Sequence, residues 1–371
     1  MSNLFPRIAF VLTMLFMFTG AVFAQHDAGG GRVESRAETP VRRPVRRPAN
    51  TATPTADSYY DQAEALYGSK KYSEALELYL KATQKNPAMT AAWYRVGWIY
   101  NDLEQFDAAV DPLKRVIASQ PDHVAAHFEL AYAYKKLERF SEASAEFTRT
   151  ISLKQDYAAA HYHLGWIYNE QKKYAEALNE LQLAVNHRTD YPDAYTEMGY
   201  AQRNSGHYPE AIAAYQEAIR QNSDSGLAHL GLGDVYYYNT RQYAEAARAY
   251  ERGLQLRPNN AVAQYNLGWC YNDFERYEDA VAAFRKAIQM RPTYAEAYNE
   301  LGYALHQLQR YAEAIAAYKS AIQNKANYGS AHYNLGMSYL AMNDRNSALA
   351  EYRILQQFDA ARATKLFNAI K

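Results

Sequence analysis

Three short stretches hold the residue types best suited to contact chemistry: Gly97–Asn101 (GWIYN), Gly165–Asn169 (GWIYN) and Gly268–Asn272 (GWCYN). Each sets an indole beside a carboxamide, and an acid follows at once, Asp102, Glu170 or Asp273. Indoles are among the side chains most enriched where partners bind, and a carboxamide both donates and accepts hydrogen bonds. The combination suits recognition of an extended ligand, not bond breaking. His127, His161, His229 and His332 are the obvious metal-ligand candidates. They recur one or more periods apart, so they do not converge on one ion, and packing is their expected role. Cys270, the single cysteine, stands where the sister stretches carry Ile99 and Ile167 and reads as a small buried apolar residue. The chain has no Walker loop, no Gly-x-Ser-x-Gly, no paired-cysteine spacing and no catalytic carboxylate constellation, so no cofactor, metal or catalytic residue is expected.

The elements that must position these residues follow from a 34-residue period. Counting units from Ala56, the twentieth place holds Ala75, Ala109, Ala143, Ala177 and Ala211. One inserted residue near Thr240 shifts the count, which continues as Ala246, Ala280, Ala314 and Ala348. An aromatic stands three places before each of the first eight alanines, and a bulky apolar residue four places after all nine, from Tyr79 and Leu113 to Tyr352. Each unit carries two amphipathic patterns of helical period joined by a short polar turn. One such helix pair cannot bury its apolar faces alone, so neighbouring units must stack.

The unit starting at Thr90 reads Trp93, Val96-Gly97, Tyr100, Ala109, Leu113, Val116 and Pro121. The unit starting at Ala261 reads Leu267-Gly268, Tyr271, Ala280, Phe284, Ala287 and Pro292. In these residues the chain resembles the tetratricopeptide repeat family. The resemblance implies an all-α fold, a helix-turn-helix solenoid of nine repeats coiled into a right-handed superhelix. The first unit departs from the pattern, with Gln62-Ala63 in place of Leu-Gly, as suits an exposed end. Asp359 is expected to N-cap a last helix laid over the ninth repeat.

In this family the first helix of each repeat lines a concave groove, with the second, fifth, ninth, twelfth and thirteenth places exposed. That stripe holds Tyr94, Trp98, Asn101 and Asp102 in the second repeat, Phe128 and Tyr132 in the third, and Tyr162, Trp166, Asn169 and Glu170 in the fourth. It continues with Tyr200 in the fifth, Tyr265, Trp269, Asn272 and Asp273 in the seventh, and Tyr303 in the eighth. The sequence therefore predicts an exposed ladder of aromatics, amides and acids. The competing expectation is that these rings pack on one another. Repeats three, five and eight alternate with the Trp-bearing repeats and carry Glu129, Glu197 and Glu300 at the sixth place, with Lys135, Lys136, Arg203 or His306 near the helix end. Repeats four to six and seven to nine look like a duplicated block.

Net charge is zero, which argues against a nucleic-acid partner. Arg7 precedes the apolar run Ile8–Ala24, which ends in Val22-Phe23-Ala24 and reads as a signal peptide over residues 1–24. Residues 25–56, rich in Gly, Pro and Arg and containing VRRPVRRP, read as a disordered linker. The repeat domain is assigned to residues 57–362 and the rest of a capping helix to 363–371, with no room there for a catalytic domain. The expected protein is an exported, non-enzymatic scaffold, periplasmic or extracellular in a bacterium. Its expected partner is a protein or peptide held in the groove. A glycan is the alternative ligand, and an adaptor role beside a separate glycosyltransferase subunit is a further one. Membrane contact is expected only through an uncleaved signal or the basic linker.

Overall fold

The computed structural model describes residues 54–371, so the signal and most of the linker lie outside the described residues. The described residues form paired helices. The first helices of repeats one to five are α1 (Ala56–Gly68), α3 (Thr90–Asp102), α5 (Val124–Lys136), α7 (Ala158–Glu170) and α9 (Pro192–Asn204). Those of repeats six to nine are α11 (Gly226–Asp234), α13 (Ala261–Asp273), α15 (Ala295–Gln307) and α17 (Gly329–Ala341). The second helices are α2 (Tyr72–Lys85), α4 (Phe106–Ser119), α6 (Phe140–Leu153), α8 (Tyr174–His187), α10 (Tyr208–Gln221), α12 (Tyr243–Leu256), α14 (Tyr277–Met290), α16 (Tyr311–Asn324) and α18 (Arg345–Leu355). A final helix, α19 (Ala360–Ile370), follows. Helix α1 begins at Ala56 with the Thr55 hydroxyl accepting from the Ser58 amide, so the last residues assigned to the linker already belong to the first cap.

The chain divides into two compact units. The first holds the residues up to Leu137 and Arg149–Ala160; the second holds Glu138–Thr148 and His161–Lys371. Within each, a helix packs on the next in sequence, and first helices touch the first helix of the following repeat. The twentieth-place alanine is the constant of this packing, at 0 % exposure in every repeat from Ala75 to Ala348. The eighth-place glycine answers the bulky residue of the second helix: a Cβ on Gly97 would lie 2.5 Å from Leu113 Cγ. No real side chain tolerates that contact, which is why the approach requires glycine.

Each repeat turns between its helices through one left-handed residue: Lys70, Glu104, Glu138, Lys172, Gly206, Arg241, Glu275, Gln309 and Asn343. In repeat two the Gln105 amide bonds back to the Tyr100 carbonyl and that of Glu104 to Asn101, which satisfies the last carbonyls of α3. The extra residue of repeat six is absorbed as a π-helical turn, Val235–Thr240, and the closing bond runs one residue longer, from the Gln242 amide to the Tyr236 carbonyl. At the C-terminal end, Asp359 caps α19 by accepting from the Arg362 amide. Leu366, Ala363 and Ile370 bury against the last repeat, and the Phe367 ring stacks on Tyr352 at 5.0 Å. The helix closes an apolar face that would otherwise meet water.

Candidate binding surface

The aromatic ladder is present, but its rings are turned into the stack and not outward. Ninth-place aromatics lie edge-on against the aromatic that opens the second helix of the preceding repeat. The pairs are Phe106–Tyr132, Phe140–Trp166, Tyr174–Tyr200, Tyr243–Trp269 and Tyr277–Tyr303, with centroids 4.9–6.4 Å apart. Trp98 instead meets Tyr67 at 5.2 Å and is 4 % exposed. Trp269 also contacts Tyr237 of the π turn at 5.3 Å.

Fifth-place aromatics pack the other way, onto the ring just before the next repeat's first helix. Tyr94–His123, Phe128–Tyr157, Tyr162–Tyr191 and Tyr265–Tyr294 lie 4.9–5.0 Å apart. A cation lies over several of these rings: Lys154 over Tyr157, Arg188 over Tyr191 and Arg291 over Tyr294, at 4.5–5.1 Å. The expectation of an exposed ladder is thus corrected for Trp98, Phe128, Tyr162 and Tyr200, which are buried, while Tyr94, Tyr132, Trp166, Tyr265, Trp269 and Tyr303 are half-buried. Joining repeat to repeat is the use these rings serve, and each such edge or tilted pair contributes about 0.5–1.5 kcal/mol beyond its buried area.

The twelfth-place asparagines are also turned inward. Asn101 Nδ2 donates to the Glu129 carbonyl at 2.9 Å and to its carboxylate at 2.8 Å, and Asn101 is 1 % exposed. Asn169 repeats this on Glu197, at 3.1 Å and 2.9 Å. Each bond ties a repeat to its successor and supplies a donor to a carboxylate that is 0 % exposed in Glu129 and 4 % in Glu197. The third copy departs. Asn272 is 3 % exposed, yet neither polar atom of its side chain has a partner. Glu300, half-exposed, accepts instead from the neighbouring Asn299 Nδ2 at 2.9 Å, and Asn299 Oδ1 accepts from Asn334 at 3.2 Å.

The fourth-place rings share a structural task that the packing expectation did not specify. Trp93 Nε1 donates to the Pro87 carbonyl at 2.8 Å, and the Nε2 atoms of His127, His229 and His332 meet the carbonyls of Pro121, Ser223 and Ala326 at 2.9–3.1 Å. An imidazole N–H thus stands in for an indole N–H. His332 also meets the Glu351 carboxylate through Nδ1 at 2.6 Å. Burial pulls this ring's pKa down, but the bonds to Glu351 and Ala326 outweigh it and hold the pKa above the ordinary imidazole value. Among the described residues no group of three or more His, Cys, Asp or Glu could hold a metal ion. Cys270 is buried, which pushes its thiol up to about 12.

Sequence reasoning missed a part-buried polar chain beside the π turn. Arg203 donates to Asp234 at 2.7 Å, Asp234 accepts from the Tyr250 hydroxyl at 2.7 Å, and Asn266 bridges Tyr250 to Tyr238 at 3.1 Å and 3.0 Å. The inserted residue was the signal that marked this place. What remains outermost on the first-helix face is the thirteenth place, where Asp102 and Asp273 are half-exposed and Glu170 is exposed. The same place holds Lys136, Asn204, Tyr238 and Gln307 in other repeats, none of them buried. Of the acids and amides singled out in these stretches, the thirteenth-place acids are thus the ones left accessible.

The tetratricopeptide repeat family model matches residues 60–124, 102–143, 128–194, 236–295 and 273–329, and a second repeat model of the family matches residues 199–240. The chain belongs to the tetratricopeptide repeat family. Among solved structures it is similar to PilF of Pseudomonas aeruginosa, with 21% identity over 56% of this chain and 94% of that one and a TM-score of 0.51. It is also similar to YrrB, described as a TPR protein with an unusual peptide-binding site (20% identity, 50% and 95% covered, TM-score 0.46). A third likeness is to the C-terminal part of a repeat protein from Cytophaga hutchinsonii (15% identity, 74% and 99% covered, TM-score 0.48). At these identities the likenesses speak to the fold alone. No curated protein matches the chain.

Proposed function

We propose that the protein is a non-catalytic scaffold that holds an extended segment of a protein partner along the first-helix face. One observation carries the reading: the thirteenth place is never buried and changes chemistry from repeat to repeat, while the twentieth-place alanine never changes. Packing accounts for a constant residue; a row of different groups at one exposed place suits recognition. A glycan would call for open ring faces, and the fifth- and ninth-place rings are largely covered by their neighbours, so a protein segment is the preferred ligand. The reading is tested by placing a photo-crosslinking amino acid at Glu170 or Asp273 in the full chain, in cells, with exposed Leu183 on α8 as the control. Adducts to a partner from the first-helix positions and none from position 183 are expected; adducts from position 183 alone would overturn it.

The partner is placed outside the cytoplasm, because Arg7 and the apolar run Ile8–Ala24 have the form of an export signal. N-terminal sequencing of protein from the envelope fraction should begin at Gln25; intact Met1 in the cytoplasmic fraction would refute this.

A further inference from the structure

Arg149 of repeat three and Arg252 of repeat six share a place, the twenty-sixth once the inserted residue is allowed for, and they share a task. Each reaches back to an aspartate in the loop that closes the preceding repeat, Asp122 or Asp224, at 2.7 Å. Repeat two carries the same arginine, Arg115, but the loop before it holds Ala88 at the aspartate's place. The loops themselves match. The Ala88 amide donates to Asn86 Oδ1 at 3.1 Å, and the Asp224 amide to Asn222 Oδ1 at 3.1 Å. The Met89 and Ser225 amides bond the Asn86 and Asn222 carbonyls at 3.0 and 3.1 Å, and those of Thr90 and Gly226 bond the Ala88 and Asp224 carbonyls at 2.9 Å. The backbone thus brings residue 88 to the place from which Asp224 pairs, and the side chain is what differs.

Arg115 is held in position all the same. Its guanidinium lies over the Trp93 ring, 4.8 Å from the centroid, and the indole is fixed by its bond from Nε1 to the Pro87 carbonyl at 2.8 Å. A guanidinium laid on a ring face keeps the donors in its own plane for a carboxylate. Among the described residues Arg115 forms no ion pair. Beside it opens a cavity of about 350 Å³, lined by Ala88, Thr90, Trp93, Ala118 and Ser119 as well as the arginine, with no acid on its wall. The Thr90 and Ser119 hydroxyls stand 3.3 Å apart there and provide further donors for a second carboxylate oxygen. Ala88 and Ala118 offer apolar wall to the stem of an incoming side chain.

We propose that this cavity receives the carboxylate of an aspartate or glutamate side chain from a protein partner, which pairs with Arg115 as Asp122 and Asp224 pair with Arg149 and Arg252. In repeats three and six the chain closes its own ion pair across the joint; at the joint of repeats one and two the acid comes from outside. The site lies at the closing loop of repeat one, apart from the thirteenth-place row. It adds a contact with its own chemistry and does not rest on the first-helix reading.

The probe is the capped tripeptide Ala-Glu-Ala, with Ala-Gln-Ala as its neutral counterpart, titrated into the full chain at constant ionic strength. The indole N–H resonance of Trp93, assigned by its loss in Trp93→Phe, is the readout. The glutamate peptide is expected to shift it saturably and the glutamine peptide to leave it in place. Arg115→Gln should weaken the response about tenfold or more, as expected for loss of a charge-assisted pair. Ala88→Asp supplies the carboxylate from within: it should abolish the response and raise the urea midpoint, and in the Arg115→Gln background it should no longer raise it. Both positions are exposed, and circular dichroism checks that each variant is folded. Equal shifts with both peptides, no shift with either, or a response that survives both Arg115→Gln and Ala88→Asp would overturn the assignment. Crosslinks from Glu170 or Asp273 would stand in each of those events, so failure here is distinct from failure of the scaffold reading.

Discussion

Asn169 and Asn272 end the same five-residue stretch, at the same place of the same helix, yet one is locked and the other is not. Asn169 holds the carbonyl and carboxylate of Glu197; Asn272 is buried to the same degree and holds neither. The residues in contact with solvent do not explain the difference. It coincides with Asn299, whose amide donates to Glu300, where the corresponding residue of repeat five is Thr196, whose hydroxyl bonds its own helix at Pro192. A duplicated motif therefore does not imply a duplicated role: a donor one residue from the acid decides whether an interface is closed or left with a spare amide.

The largest test of this comparison lies in what the two copies share. Trp98→Ala and Trp269→Ala should each cost about 3–5 kcal/mol, because both indoles fill the joint with the preceding repeat. Urea midpoints measure this, and a cost for Trp269→Ala below about 1 kcal/mol would break the parallel and return that ring to the surface. Next comes the residue that differs. Asn169→Ala should lose about 2–4 kcal/mol, since Glu197 is left buried with its amide donor gone, whereas Asn272→Ala should stay within about 1 kcal/mol of the parent. Equal losses would show that Asn272 is held after all. Asn299→Thr should stabilise the chain by about 1 kcal/mol by returning Glu300 to Asn272, and no gain in the urea midpoint would refute that competition. The smallest effect is expected to be identical in both copies: Glu104→Gly and Glu275→Gly, at φ 57 and 59, should each raise stability by about 0.5–1 kcal/mol by relieving a left-handed side chain. Unequal shifts would mean that the turns differ as well as the interfaces.

Much of the fold was legible in the residues. The alanine at the twentieth place, the glycine at the eighth and the Asp359 cap each report a local demand, close approach or an unsatisfied amide, that few residue types meet. The candidate surface was less legible. Helical spacing places Tyr94, Trp98 and Asn101 on one stripe, but a wheel drawn for one helix cannot say whether the next repeat covers that stripe. The clue was a second regularity: ninth-place rings always follow a second-helix aromatic by twenty-six positions, and four fifth-place rings, Tyr94, Phe128, Tyr162 and Tyr265, precede a loop ring by twenty-nine. Two aromatics at constant separation are partners before they are ligands.

The sequence by itself determined the period, the paired helices, the small residues at their contacts and the single insertion, because these follow from backbone geometry and from apolar area that each helix must hide. The tertiary structure decided which side of the stripe is buried and which acid is locked. Burial depends on what the neighbouring repeat brings to the joint, and Glu300 bonds Asn299, whose own oxygen accepts from Asn334 on another helix. Such choices are settled by distance in space, which residue spacing within one helix does not encode.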